Sequence, residues 1–230
     1  MSESSRPVLE ARGLYHIYQV GNVKTVALRG ADLTLAHASW TAVMGPSGSG
    51  KSTLLHILAG LLEPSAGSVS VDGEDITRLP SAAQTAWRRR SVGLVLQRDN
   101  LHPSLNVVDN IALPLRLQGE DSGAISERAS ALLEHVGLAE RRDHRVGQLS
   151  GGEAQRVAVA VAIATSPRVL LADEPTGELD STTASNVLDL LDTLMRREGL
   201  TILTVTHNRQ VTERARGLLT MRDGVLIDAT

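Results

Sequence analysis

Apolar residues along this chain fall into two periods. Runs that alternate, or that are continuously apolar and bounded by turn residues, predict strands over 8–18, 28–35, 41–44, 68–71, 92–96, 169–172, 201–206, 218–221 and 225–227. Leu54, Leu55, Leu58, Leu61 and Leu62 recur at helical spacing, which predicts a helix over 52–62 stopped by Glu63-Pro64-Ser65-Ala66-Gly67. Helical patterns also cover 125–136 and 182–196. Asp72-Gly73 and Asp223-Gly224, each between short strand patterns, are hairpin turns. Buried strands alternating with helices imply an α/β fold with a mainly parallel core sheet covered on both faces. Antiparallel hairpins at both ends are expected to form a smaller β element. The stretch 101–147 reads as a helical insert. With no internal repeat or linker, 1–230 is expected to form one domain with subdomains.

One segment resists this reading. Val157-Ala158-Val159-Ala160-Val161 alternates like a strand. Just upstream, Ser150 and Glu153 stand at S-x-x-E spacing, the capping box of a helix start, which favours helix.

Composition narrows the function. The net charge of -3, from 23 basic and 26 acidic residues, gives no basic excess for a nucleic-acid partner. Aromatic residues are 2% of the chain and Phe is absent, so stacking platforms for single strands are not expected. The absence of cysteine excludes disulfides, thiolate metal sites and Cys nucleophiles. Residues 1–10 show no signal-peptide pattern, and the longest apolar run, 157–164, is far short of the roughly 20 residues that span a bilayer. Membrane association is expected only through a partner.

The densest chemical signal is Gly45-Pro46-Ser47-Gly48-Ser49-Gly50-Lys51-Ser52, which fits G-x-x-x-x-G-K-[ST] between an apolar strand and a helix. Its glycines let successive backbone N–H groups face a phosphate, and the helix that follows directs its N-terminal dipole at the same anion. Lys51 would reach the β- and γ-phosphates, and Ser52 would give an oxygen to Mg²⁺. Val169-Leu170-Leu171-Ala172-Asp173-Glu174 supplies a complement: Asp173 ends a buried strand where it can hold the metal, and Glu174 can accept a proton from water.

Leu149-Ser150-Gly151-Gly152-Glu153 then adds a second exposed helix end able to meet an anion. With the two nucleotide motifs, it resembles the signature motif of the ABC ATPase family, and the resemblance runs through nearly the whole chain. It implies a P-loop NTPase of ABC type, with an antiparallel β subdomain and a helical signature subdomain at roughly 98–165. Gln97 resembles the Q-loop glutamine, Leu179-Asp180 the D-loop, and His207 the switch histidine. Tyr18 falls where the family stacks an aromatic ring on adenine. The stretches 92–107 and 109–115 are similar to the MacB/LolD/FtsE-like group. Leu96, Val161, Glu153 and Ala38-Ser39 depart from the common family residues.

The resemblance implies a homodimer formed around two ATP molecules. Gly45 to Thr53 of one chain would face Ser150, Gly151, Gly152 and Glu153 of the other. It also implies Mg²⁺ held by Ser52, Gln97 and Asp173, catalysis by Glu174, His207, Gln97 and Lys51, and separately encoded membrane permease subunits at the cytoplasmic face. Export or extraction of lipid, lipoprotein, peptide or drug is the expected work; driving a membrane partner mechanically, without transport, is the alternative. A GTPase is not expected, because no N-K-x-D guanine motif is present. The membrane partner is expected to dock on 98–119, where Leu101, Leu105, Val107 and Ile111 are the apolar residues.

Overall fold

The computed structural model describes residues 7–98 and 100–228. Among the described residues there are ten strands: β1 (Leu9–Val20), β2 (Val23–Leu35), β3 (Trp40–Met44), β4 (Ala66–Val71), β5 (Glu74–Asp75), β6 (Val92–Val95), β7 (Val169–Asp173), β8 (Thr201–Thr206), β9 (Gly217–Arg222) and β10 (Val225–Asp228). They alternate with helices α1 (Lys51–Leu58), α2 (Ser81–Ser91), α3 (Val107–Gln118), α4 (Ser122–His135), α5 (Gly151–Ile163), α6 (Ser181–Glu198) and α7 (Arg209–Arg214).

The core sheet runs in the order β10-β9-β3-β8-β7-β6. Its inner pairs are parallel, and only β10 runs antiparallel, to β9. β7 shows why its sequence is continuously apolar. Val169 and Leu171 enter one apolar cluster, beneath α1 and the second sheet, while Leu170 and Ala172 enter the other, beneath α5 and α6. A strand covered on both faces has no solvent side to mark with polar residues. The smaller sheet, β2-β1-β4-β5, is antiparallel throughout.

Three expectations are corrected. The C-terminal hairpin does not join the smaller sheet: β9 pairs in parallel with β3, from Thr41↔Gly217 to Met44↔Thr220, and so satisfies the backbone groups on that edge of β3. The first helix ends at Leu58 instead of reaching 62. Gly60 takes a left-handed φ of 63°, and the N–H groups of Leu61 and Leu62 turn back onto the carbonyl of His56. Val107 and Ile111 are fully buried in the core, so they are not docking-surface residues.

The segment 157–161 is helical, inside α5. Val157, Ala158, Val159 and Ala160 are all buried, because α5 packs between the helical insert and the core sheet. A helix apolar nearly all round loses the 3.6-residue signature, which is why its pattern imitates a strand. No helix among the described residues is long and apolar enough to cross a membrane.

Candidate active site

The glycine-rich loop joins β3 to α1 at the carboxyl end of the core strands, where open α/β sheets place their ligands. Gly50 caps α1 with a φ of 107°. A Cβ there would run into the carbonyl of Ala27, so the loop turns this tightly only with glycine. The Lys51 ammonium folds back to donate to the carbonyls of Gly45, at 2.8 Å, and Pro46, at 2.9 Å. Its charge is thus held at the mouth of the loop by neutral acceptors that an anion could replace.

Around this loop lies a cavity of about 640 Å³. Tyr18, Ser47, Gly48, Gly50, Lys51, Ser52, Thr53, Gln97, Asp173, Glu174 and His207 all line it. Gly45, Pro46 and Ser49 build the loop behind that wall. Thr25, Val26 and Ala27 of β2 also line the cavity, and sequence reading missed them. They carry no chemical signature; only the pairing of β2 with β1, opposite Tyr18, brings them there. Tyr18 is 41% exposed, lies 3.3 Å from Thr53 through its hydroxyl, and is met edge-on by His16 with ring centroids 4.5 Å apart. Such a part-exposed ring can stack on a planar base.

Asp173 ends β7 with its side chain buried. Burial is the main force pushing its carboxyl above the ordinary aspartate range; the Ser52 hydroxyl opposes that rise, and the neighbouring Glu174 charge adds to it. Ser52, Gln97 and Asp173 offer a hydroxyl, an amide and a carboxylate, hard oxygen donors of the kind Mg²⁺ takes. Among the described residues no group of three acidic or histidine side chains could hold a metal by itself.

Glu174 adopts a left-handed φ of 47°, unusual for a non-glycine residue. Its N–H donates to the Val205 carbonyl at 2.9 Å. Its carboxylate accepts from the Thr206 hydroxyl at 2.8 Å, from Nδ1 of His207 at 2.7 Å and from the His207 main-chain N–H at 3.0 Å. The ends of β7 and β8 thereby bring Glu174 and His207 together.

Gln97 follows the end of β6. The side chain of Asn100 spans the main chain of Leu96, accepting from its N–H and donating to its carbonyl, both at 2.6 Å. Arg98 pairs with Glu178 at 2.7 Å. Asn100 was not singled out from the sequence, where a lone asparagine in a loop has no distinguishing mark.

Ser150, Gly151, Gly152 and Glu153 stand apart, outside this cavity. The capping box forms: the Ser150 hydroxyl accepts from the Glu153 N–H at 3.3 Å, and the Glu153 carboxylate accepts from the Ser150 N–H at 2.8 Å. That N–H, then Arg141 at 2.9 Å, lowers the Glu153 carboxyl to about 2. Gly152 has a packing reason as well, since a Cβ there would strike the methyl group of Thr183 at the start of α6. One chain therefore presents a phosphate-type loop and a separate helix start at Ser150 that lies outside the loop's cavity.

A protein-family model described as ABC transporter matches residues 28–177. The lipoprotein-releasing system ATP-binding protein LolD of Hyphomonas neptunium is 46% identical over 97% of this chain and 98% of its own length. The macrolide export ATP-binding/permease protein MacB of Bdellovibrio bacteriovorus is 40% identical over 95% of this chain and 33% of its own length. Among solved structures, the dimeric post-hydrolysis state of the ATP-binding cassette MJ0796, bound to ADP and Pi, superposes with a TM-score of 0.88 at 33% identity, covering 96% of this chain and 98% of that one.

Proposed function

The chain belongs to the ABC transporter family and is an ATPase of the LolD/MacB type, and from that premise we propose that it is the cytoplasmic motor of a membrane complex for export or extraction. Two copies bind ATP head to tail, and separately encoded permease subunits at the cytoplasmic face of the membrane convert their closing and opening into work on a lipid, lipoprotein, peptide or drug. The cavity carries this reading. It gathers Tyr18, Lys51, Gln97, Asp173, Glu174 and His207 around the glycine loop and leaves out Ser150 to Glu153. A helix start able to meet a phosphate, but placed away from its own loop, is useful to a second copy. A two-fold pair then makes two equivalent composite sites.

In each site Tyr18 stacks on adenine, while the loop N–H groups of 45–53 and Lys51 hold the phosphates. Ser52, Gln97 and Asp173 would hold Mg²⁺, which neutralises phosphate charge when bound. Glu174 accepts the proton of the attacking water, and His207 steadies the γ-phosphate. Ser150 and Gly152 of the other copy donate to that same phosphate. Binding energy realised only in the closed pair makes ATP the bridge, and hydrolysis removes it. The helical subdomain of roughly 98–165 carries the docking surface for the permease. Its apolar contacts there are the part-buried Leu101 and Leu105 and the exposed Leu117.

The test is capture from detergent-solubilised membranes with tagged Glu174→Gln, held closed by Mg²⁺ and ATP. Recovery of a membrane protein with a large extracytoplasmic domain supports the transport-motor reading. Recovery of soluble proteins only, with ATP-dependent pairing intact, would keep the ATPase and overturn its membrane role.

A further inference from the structure

We infer that Thr206 is a positioning residue for the Glu174 carboxylate, fixing one of its oxygens so that the other is left to serve the attacking water. This rests on the reading of Glu174 as the group that takes the water proton.

Thr206 is the last residue of β8 and is fully buried. Its hydroxyl accepts the main-chain N–H of Asn208 at 2.9 Å. A hydroxyl carries one proton, and with an N–H already aimed at the oxygen that proton is free to be directed elsewhere. It points to Oε2 of Glu174, at 2.8 Å. The two carboxylate oxygens share the His207 main-chain N–H, at 3.0 Å to Oε1 and 3.3 Å to Oε2, but differ in their side-chain partners. Oε2 is gripped by the buried end of a core strand. The side-chain partner of Oε1 is Nδ1 of His207, at 2.7 Å, on a side chain that is 69% exposed. When His207 turns toward a γ-phosphate, Oε1 loses its side-chain partner while Thr206 keeps hold of Oε2.

The same strand end also secures the backbone. Glu174 holds its left-handed φ of 47° with its N–H bonded to Val205, the residue before Thr206. Such strain persists only where the surroundings over-determine it. Asn208 adds a second tie, donating from Nδ2 to the hydroxyl of Thr176 at 3.1 Å. Thus β8 fixes both the main chain and one carboxylate oxygen of Glu174. A threonine that served only to fill the strand and hold the Asn208 N–H would, on replacement by valine, lose stability without a selective loss of kcat.

The experiment compares Thr206→Val, Thr206→Ser and Glu174→Gln in the full chain. Steady-state kcat and KM for ATP, thermal melting, and the lifetime of the ATP-bound dimer by sizing chromatography are measured. Thr206→Val is expected to lower kcat about 10- to 100-fold, the scale of a misplaced reacting group. KM should stay within about twofold of wild type, because ground-state binding is untouched. The ATP-bound dimer should outlive that of wild type, and Thr206→Ser should restore most of kcat. Valine turning over like threonine, serine as slow as valine, or kcat and KM shifting together would each overturn the assignment. If Thr206→Val fails to melt as a folded protein, Thr206→Ala takes its place with the same outcomes. A fast Glu174→Gln would instead sink the role of Glu174. A dead Glu174→Gln beside a normal Thr206→Val sinks only that of Thr206.

Discussion

Nδ1 of His207 donates to Oε1 of Glu174 across 2.7 Å, so the two groups proposed to act on the γ-phosphate and on water hold each other. A hydrogen bond to a carboxylate is among the stronger ones, and it leaves Nε2 of His207 and further lone pairs of the carboxylate available to other partners. Glu174→Gln preserves size but cannot take a proton. It should retain ATP affinity while turnover falls about 100-fold or more, the usual worth of a general base. Phosphate release, read beside ATP-dependent dimerisation, checks both halves. Turnover within a few-fold of wild type would mean that another base acts.

Lys51 offers a different separation. Its ammonium donates to the carbonyls of Gly45 and Pro46 and so braces its own loop. Lys51→Ala removes both that brace and the charge that meets the phosphates. Nucleotide affinity should drop by at least tenfold in calorimetry, since a charge-assisted hydrogen bond is worth about 1.5–3 kcal/mol. Melting temperature without nucleotide should also fall by a few degrees, because the buried Gly45 carbonyl loses its donor. Unchanged affinity would remove the loop from the binding site.

These residues were legible because their motifs combine unusual composition with fixed spacing. Most strands were legible too, since β7 and β8 are buried on both faces and bounded by polar residues. What stayed hidden has physical reasons. The helix α2 buries only Trp87 and Ser91, so it writes no apolar period into the sequence. α3 fell inside the expected helical insert, but Pro114 within it blurs its bounds in the sequence. Thr25, Val26 and Ala27 reach the cavity through strand pairing, and Thr206 reaches Glu174 across a separation of 32 residues. Contacts of that kind are made by the tertiary fold and leave no local pattern. The destination of the C-terminal hairpin was hidden for the same reason: a hairpin signal specifies its turn but not the sheet it joins.

The capping box predicts a pH dependence with a definite sign. Glu153 titrates at about 2 in the folded chain, held down first by the Ser150 N–H and then by Arg141. An unfolded glutamate titrates at about 4.3. A carboxyl with a lowered folded pKa contributes stability above its unfolded pKa, and loses it as pH falls toward the folded value. Glu153→Ala should therefore melt below wild type at pH 7, with the gap closing as pH drops from about 5 toward 2. Thermal melts of both proteins across that window provide the check. A gap independent of pH would show that the side chain stabilises α5 by packing instead of charge.

Ala38 and Glu174 share a backbone feature with opposite prospects. Both are non-glycine residues in the left-handed region, at φ of 50° and 47°. At Glu174 the strain aims a carboxylate into the cavity, so replacement by glycine would relieve it only by deleting the chemistry. Ala38 is an exposed residue in the turn between β2 and β3, and its N–H donates to the Thr201 hydroxyl at 3.1 Å. Glycine keeps that N–H and removes the Cβ that disfavours the conformation. The relief of about 1–2 kcal/mol is partly offset by the greater freedom of glycine in the unfolded chain. A net gain of about 0.5–1 kcal/mol should raise the melting temperature of Ala38→Gly by about 2 °C. ATP turnover should be unchanged, because the turn lies at the opposite end of β3 from the glycine loop. Equal or lower stability would mean that the alanine methyl makes compensating contacts in this turn.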